Sequence, residues 1–251
     1  MREGALGNDK LGTTRKGIGP TYSNKMTRNG LRVGDLRDWT WFESRFRQSV
    51  TSVESSFKIT VDVEAELKRY KEYAEHISHM IIDSVAYVNH AINEKKSVMF
   101  EGANAVLLDI DFGTYPYVTS SSPGTNGIPS GIGIRPALLA EATVAGVVKA
   151  YTTRVGEGPF PTELDNEIGE KIREIGGEFG TTTGRPRRCG WLDVVLIRYT
   201  HLICGYTHIN LTKLDVLSGF KELKICVNYR HNGEILYTVP ASLKVCRTTI
   251  I

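Results

Sequence analysis

Between positions 64 and 93, apolar residues return at three- and four-residue steps: Leu67, Tyr70, Tyr73, Ile77, Ile81, Val85, Val88 and Ile92. That period lines up one face of a long amphipathic helix. Directly after it comes Ser-Val-Met-Phe, 97–100, which reads as a buried strand ending in the small-residue turn Glu-Gly-Ala-Asn. A helix leading into a buried strand needs a sheet to pair the strand and a sheet face to seat the helix. The expected class is therefore α/β, with a large, mostly parallel or mixed sheet, flanking helices and long loops.

The rest of the chain agrees. A short helix is expected over 136–145 and a β-branched strand over 147–155. "NEIGEKIREIG" and "GWLDVVLIRYTHLIC" read as helices, the second opening near Trp191, and 207–212 reads as a buried strand. Asn232-Gly233 between two alternating runs predicts a hairpin with a two-residue turn. Neither an internal repeat nor a linker interrupts the 251 residues, which read as one domain.

Composition narrows the function. The chain is 41% hydrophobic and 24% charged, ordinary for a soluble globular protein, and its net charge of +3 gives no basic field for nucleic acid. No apolar run has membrane-spanning length, and the first residues lack the apolar core of a signal peptide. Cys189, Cys204, Cys226 and Cys246 stand at no metal-ligand spacing and read as free thiols in a reducing cytoplasm. His76 and His79, three apart on the predicted helix, have no third partner at ligand spacing and read as solvated positions. Asn210-Leu-Thr212 matches a glycosylation acceptor, but its place in a predicted buried strand argues against that use.

The chemistry belongs to the loops, because ligands of such sheets sit beyond the strand ends. "GTTTGRPRRCGW", 180–191, sets three threonines and three arginines on a glycine-broken backbone. Thr181, Thr182 and Thr183 offer hydroxyls, and Gly180 and Gly184 let backbone N–H groups approach a ligand. Arg185, Arg187 and Arg188 offer forked donors for carboxylate or phosphate, and the helix start behind them adds a favourable potential. The sum is an anion clamp; the plainer readings are a solvated basic loop or a nucleic-acid contact. Lys213-Leu214-Asp215 follows a strand and is similar to the guanine-reading element of GTP-binding folds, although such triplets are common as surface charge. Thr13 and Thr14 beside Gly12 suit a phosphate, with Arg15, Lys16, Lys25, Arg28 and Arg32 nearby. Asn104, and 119–122 beyond it, suit a purine edge, since one amide both donates and accepts.

Taken together, "GIGPTYSNKMTR", "FEGAN…LLDIDFGTYPYVTSS", "VVKAYTTRVGEGPFPTE", "GTTTGRPRRCGWLD" and "TKLDVL" resemble the adenylosuccinate synthetase family, in the family's order and over about 11–240. Asn104 resembles the eukaryotic branch. The resemblance implies a P-loop NTPase-like synthetase fold and GTP-dependent ligation of IMP and L-aspartate to adenylosuccinate through 6-phosphoryl-IMP. It also implies Mg2+ as cofactor, a cytoplasmic homodimer, and neither nucleic acid nor membrane as partner. Residue by residue, it implies IMP binding by Thr14, Asn104, Thr119 and Arg185, and by Arg28 across the dimer. Aspartate falls to Thr181, Thr182, Thr183, Gly184, Arg185, Pro186 and Arg187, and GTP to Arg187, Lys213, Leu214 and Asp215. Asn104 lies near the reacting 6-oxygen, and Lys25 takes a supporting catalytic role.

Two departures accompany the match. Pro186 stands where the family more often has a basic residue, and it fixes φ in the clamp. No G-x-x-x-x-G-K phosphate loop occurs, and the family's metal ligands belong to that missing region, so no metal ligand is expected here. The chain is thus expected to be an incomplete, central portion of the enzyme with little or no turnover; the alternative is a non-catalytic form that binds nucleotide or dimerises.

Overall fold

The computed structural model describes residues 16–181 and 184–242. Thr13, Thr14, Arg15, Thr182, Thr183 and Cys246 lie outside the described residues. The rest forms two compact units, one of 16–99 with 132–134, the other of 100–131 with 135–242.

The first unit is helical. Helix α1, Ile18–Thr27, starts after Gly17 and stops at Arg28, both left-handed. Asp38 caps α2, Trp39–Phe57, by accepting from the Trp41 N–H, and Asp62 caps α3, Val63–Ile77, by accepting from Ala65. These two helices meet through Tyr70, whose ring lies 5.5 Å from Phe42 and 5.3 Å from Phe46. Arg47 pairs with Glu43 on its own helix and with Glu64 across to α3, at 2.6 Å each. The single helix expected over 64–93 is two: a short 3-10 turn, Ser78–Met80, follows α3, and α4, Ser84–Asn93, begins afresh under the Asp83 carboxylate, which accepts from Ala86. The apolar period runs through both helices, so periodicity alone misses the break; the Asp83 cap makes it.

The second unit holds all the strands among the described residues. They pair as four two-stranded ladders, two parallel and two antiparallel, so the expected α/β class with parallel and mixed pairing holds. Strand β1, Ala145–Lys149, runs parallel to β5, His208–Thr212, from Ala145 opposite His208 to Lys149 opposite Thr212. The single strand expected over 147–155 is divided: after Ala150 the chain leaves β5, and β2, Thr152–Arg154, turns antiparallel to β3, Arg188–Gly190. Strand β4, Leu192–Asp193, lies parallel to β6, Ile225–Cys226. Strands β7, Tyr229–His231, and β8, Glu234–Leu236, form the expected hairpin, and both turn residues, Asn232 and Gly233, have positive φ (51° and 88°).

Helix α5, Glu167–Gly176, and α6, Val194–Cys204, pack on these ladders. One core joins Ala150, Tyr151, Ile172, Cys189, Val216 and Leu217, and a second joins Val195, Cys226 and Tyr229. Two expected burials fail. Residues 97–100 form no strand or ladder among the described residues, and Met99 is 84% exposed. Strand β5 is exposed along most of its length, Asn210 included. In both places the sequence has the apolar content of a covered strand, but no described element covers it. The helix expected over 136–145 is a 3-10 segment, Pro136–Glu141.

Candidate functional site

The site is built where α5 ends. Gly177, with φ 62°, stops the helix, and the Glu178 N–H returns to the Arg173 carbonyl at 2.9 Å. The chain then makes a closed loop. Phe179 bridges Pro186, Gly180 N–H donates to the Arg185 carbonyl at 2.8 Å, and Gly184, with φ 63°, donates to Gly180 at 2.7 Å. Gly184 is needed at that angle, since a side chain there is strained. Thr181 and Arg185 are exposed on this loop, and Pro186 sits at its neck.

The three arginines have different fates. Arg187 is tied twice to Glu178: its N–H donates to the Glu178 carbonyl at 2.9 Å, and its Nη1 to Oε2 at 2.7 Å. Its Nε is buried and has no hydrogen-bond partner among the described residues. Arg188, expected in the clamp, is spent within the fold, on both Glu163 oxygens and on the carbonyls of Gly156 and Gly158. The expected helix start at Trp191 is also corrected. Helix α6 begins at Val194, and the buried Asp193 carboxylate occupies its N-terminus by accepting from Leu196 at 3.2 Å. Burial raises the Asp193 carboxyl, against the Tyr229 hydroxyl that donates to it at 2.6 Å.

Glu178 itself is 1% exposed and receives three donors. Lys149 Nζ lies 2.7 Å from each of its oxygens, Tyr151 Oη 2.6 Å from Oε1, and Arg187 2.7 Å from Oε2. Burial pushes its carboxyl up, but the Lys149, Tyr151 and Arg187 hydrogen bonds outweigh that and hold it below the ordinary range. Burial, then Glu178, raises the Tyr151 phenol. Burial also pushes the Cys189 thiol up to about 11, which leaves it protonated and inert.

A pocket of about 380 Å³ opens beside this cluster. Asn104, Leu108, Thr114, Arg154, Val155 and Arg187 are in its wall. Arg154 donates to Thr114 Oγ1 at 2.9 Å and to the Glu157 carbonyl at 2.9 Å. An apolar cleft with an amide and guanidinium groups in its wall suits a flat heterocycle carrying an anionic group.

The pocket brings Asn104 and Arg187 together. Thr119 is not in its wall, although its N–H donates to the Leu108 carbonyl at 2.8 Å. Lys213 is left-handed (φ 62°) at the end of β5, and its Nζ donates to the Gly176 carbonyl at 2.9 Å. Leu214 is 57% exposed, and Asp215 is exposed on a turn anchored by the buried Val216 and Leu217. Lys25, 6.0 Å from the Tyr22 ring, and Arg28, whose carbonyl accepts from Arg45, are exposed in the first unit. Sequence reasoning missed Lys149, Arg154 and Glu178 as site residues. Tyr151 lies in the bend between β1 and β2, so strand alternation does not reach it, and no local pattern marks these residues.

The adenylosuccinate synthetase family model matches residues 1–250. The chain belongs to that family. It is 52% identical over 244 residues to the adenylosuccinate synthetase of Schizosaccharomyces japonicus, a match covering 97% of this chain and 56% of that protein. With the Kluyveromyces lactis adenylosuccinate synthetase the identity is 54% over 239 residues, covering 93% and 55%. The structure of the fully ligated Plasmodium falciparum adenylosuccinate synthetase superposes with a TM-score of 0.94 at 42% identity, covering all of this chain and 60% of that one. The chain thus spans about half the length of the curated relatives it matches. Among the described residues, no three His, Cys, Asp or Glu side chains converge as a metal site. No helix among the described residues is long and apolar enough to cross a membrane.

Proposed function

We propose that the protein ligates IMP and L-aspartate to adenylosuccinate at the expense of GTP, the first committed step from IMP to AMP. The reading rests on family membership. The one observation of geometry that carries it is the pocket with both Asn104 and Arg187 in its wall. The purine 6-oxygen is a poor leaving group. GTP transfers its γ-phosphoryl to that oxygen, leaving GDP; the aspartate amine then attacks C6, and phosphate departs with the oxygen.

Asn104 holds the reacting purine edge, with Thr119 and Thr14 supporting IMP. Arg185 and Arg187, with Thr181, Thr182, Thr183, Gly184 and Pro186, take the aspartate carboxylates, and Arg187 also faces GTP. Asp215 accepts from guanine N1–H and N2–H2, an edge adenine lacks, with Lys213 and Leu214 beside it. Arg28 completes the site of a partner copy in a homodimer, and Lys25 plays a basic supporting part. The residues act by placing reactants and neutralising charge, the main contribution a protein makes to phosphoryl transfer. The free thiols Cys189, Cys204 and Cys226 suit a cytoplasmic setting.

The test supplies purified protein with IMP, GTP and L-aspartate and follows product. Adenylosuccinate that requires all three, with GTP not replaceable by ATP, is the expected result for a full-length enzyme carrying these residues; this chain by itself, which has no G-x-x-x-x-G-K loop, is expected to give little or no product. Nucleotide binding without any product from that full-length enzyme would reassign the protein to a binding role.

A further inference from the structure

We propose that Glu178 is a positioning residue for anion binding: it fixes the Arg187 guanidinium at the pocket wall while Lys149 and Tyr151 hold the carboxylate in place. The proposal rests on the reading above for the identity of the anion, and on the following geometry for the rest.

Glu178 is placed by backbone before its side chain acts. Its N–H is bound to Arg173 at the end of α5, and its carbonyl accepts from the Arg187 N–H at 2.9 Å. The two residues therefore face each other across the neck of the 180–187 loop. The side chain is enclosed, at 1% exposure, and the end of α5 is shaped around its partner: a Cβ on Gly176 would lie 2.5 Å from the Tyr151 hydroxyl. With Lys149 on both oxygens and Tyr151 on Oε1, the carboxylate has one orientation, and Oε2 takes Arg187 Nη1 at 2.7 Å.

An arginine at a loop neck otherwise samples many rotamers, and an anion that captures it must order the side chain on binding. Here that ordering is done in advance. The charge balance matters as much as the geometry. Lys149 and Arg187 share one carboxylate, leaving one positive charge in excess. Arg173, whose Nε donates to the Arg187 carbonyl at 2.8 Å, adds another beside them. Glu178 thus holds Arg187 without cancelling the cluster's attraction for an anion.

The experiment measures equilibrium binding of GTP, and of L-aspartate in the presence of IMP, to the full chain, each variant being first checked for folding by thermal melting. E178Q keeps the side-chain volume and removes the charge. It is expected to raise the dissociation constant of at least one probe roughly tenfold, the scale of a charge-assisted hydrogen bond. R187A should weaken the same probe at least as much, and E178Q should add nothing in the R187A background, because both changes remove one interaction. Unchanged affinity in folded E178Q, or losses that simply add in the double variant, would overturn the proposal while leaving the proposed function standing. A wild-type chain that binds neither probe would instead sink the proposed function, and this inference with it. Should E178Q fail to fold, E178D keeps the charge and withdraws it from Arg187, and the same loss is expected. Failure of both variants to fold would assign Glu178 to the core alone and end the proposal.

Discussion

A carboxylate buried among three donors makes acid stability a property of a single side chain. Glu178 is held below the ordinary glutamate range, near pH 4.3, because its hydrogen bonds to Lys149, Tyr151 and Arg187 outweigh its burial. A depressed carboxyl contributes stability that is fully present above its unfolded pKa and lost as pH falls through the folded one. Wild-type chain should therefore lose stability from about pH 5 downward. Asp193 runs the other way: burial raises its carboxyl, so its share of instability appears as pH rises. Urea midpoints of wild type and E178Q, followed down from pH 6, should converge as the acid slope of wild type steepens. Parallel curves would show that Glu178 is not the group being titrated. Little of this was legible beforehand. Glu178 follows two glycines in a turn, where an acid reads as solvated, and its chief partner comes from β1, 29 residues away in sequence.

At the level of elements, close crossings of backbone decide what the chain tolerates. Gly190 ends β3, pairs with Thr152 of β2 and also bridges Glu163. A Cβ there would stand 2.2 Å from the Thr162 carbonyl oxygen and 2.9 Å from the Phe160 ring, and backbone cannot give way as a flexible side chain does. Gly190→Ala should cost about 1–3 kcal/mol, read as a lower urea midpoint with unchanged slope. Gly34→Ala, where a Cβ would meet nothing within 4 Å, serves as the control and should be near neutral. Equal stability of the two variants would remove the crowding argument. Local signals of this kind explain which elements the sequence announces. The β7–β8 hairpin is readable because Asn232 and Gly233 tolerate the left-handed turn it demands. The division between α3 and α4 is not, because Ile77, Ile81 and Val85 keep the helical period across the gap. Strand β5 carries apolar residues that imply cover, yet Ile209 and Leu211 are 52% and 43% exposed. Burial is a property of neighbours far along the chain, and composition cannot supply it.

For the whole molecule, the question is how many chains make one site. Asn104 and Arg187 line one pocket in the strand-bearing unit, while Arg28 lies in the helical unit, left-handed (φ 62°) at the end of α1. Its backbone N–H closes the helix on Asn24 and Lys25. Its carbonyl accepts from Arg45, so the residue is fixed in the main chain, and its side chain is exposed. A rigid backbone presenting an exposed guanidinium suits a phosphate brought by another surface. Under the proposed homodimer, that surface is the partner's IMP site. Arg28→Ala and Arg187→Ala forms of the full-length enzyme should each be nearly inactive alone. Mixed and allowed to exchange subunits, they should form heterodimers with one site that has both arginines, one from each chain, and one site that lacks both. At equal mixing about half the dimers are mixed and each has one intact site of two, so activity should recover to roughly a quarter of wild type. If dimers exchange and no activity returns, Arg28 serves its own chain, and the active unit is the single subunit.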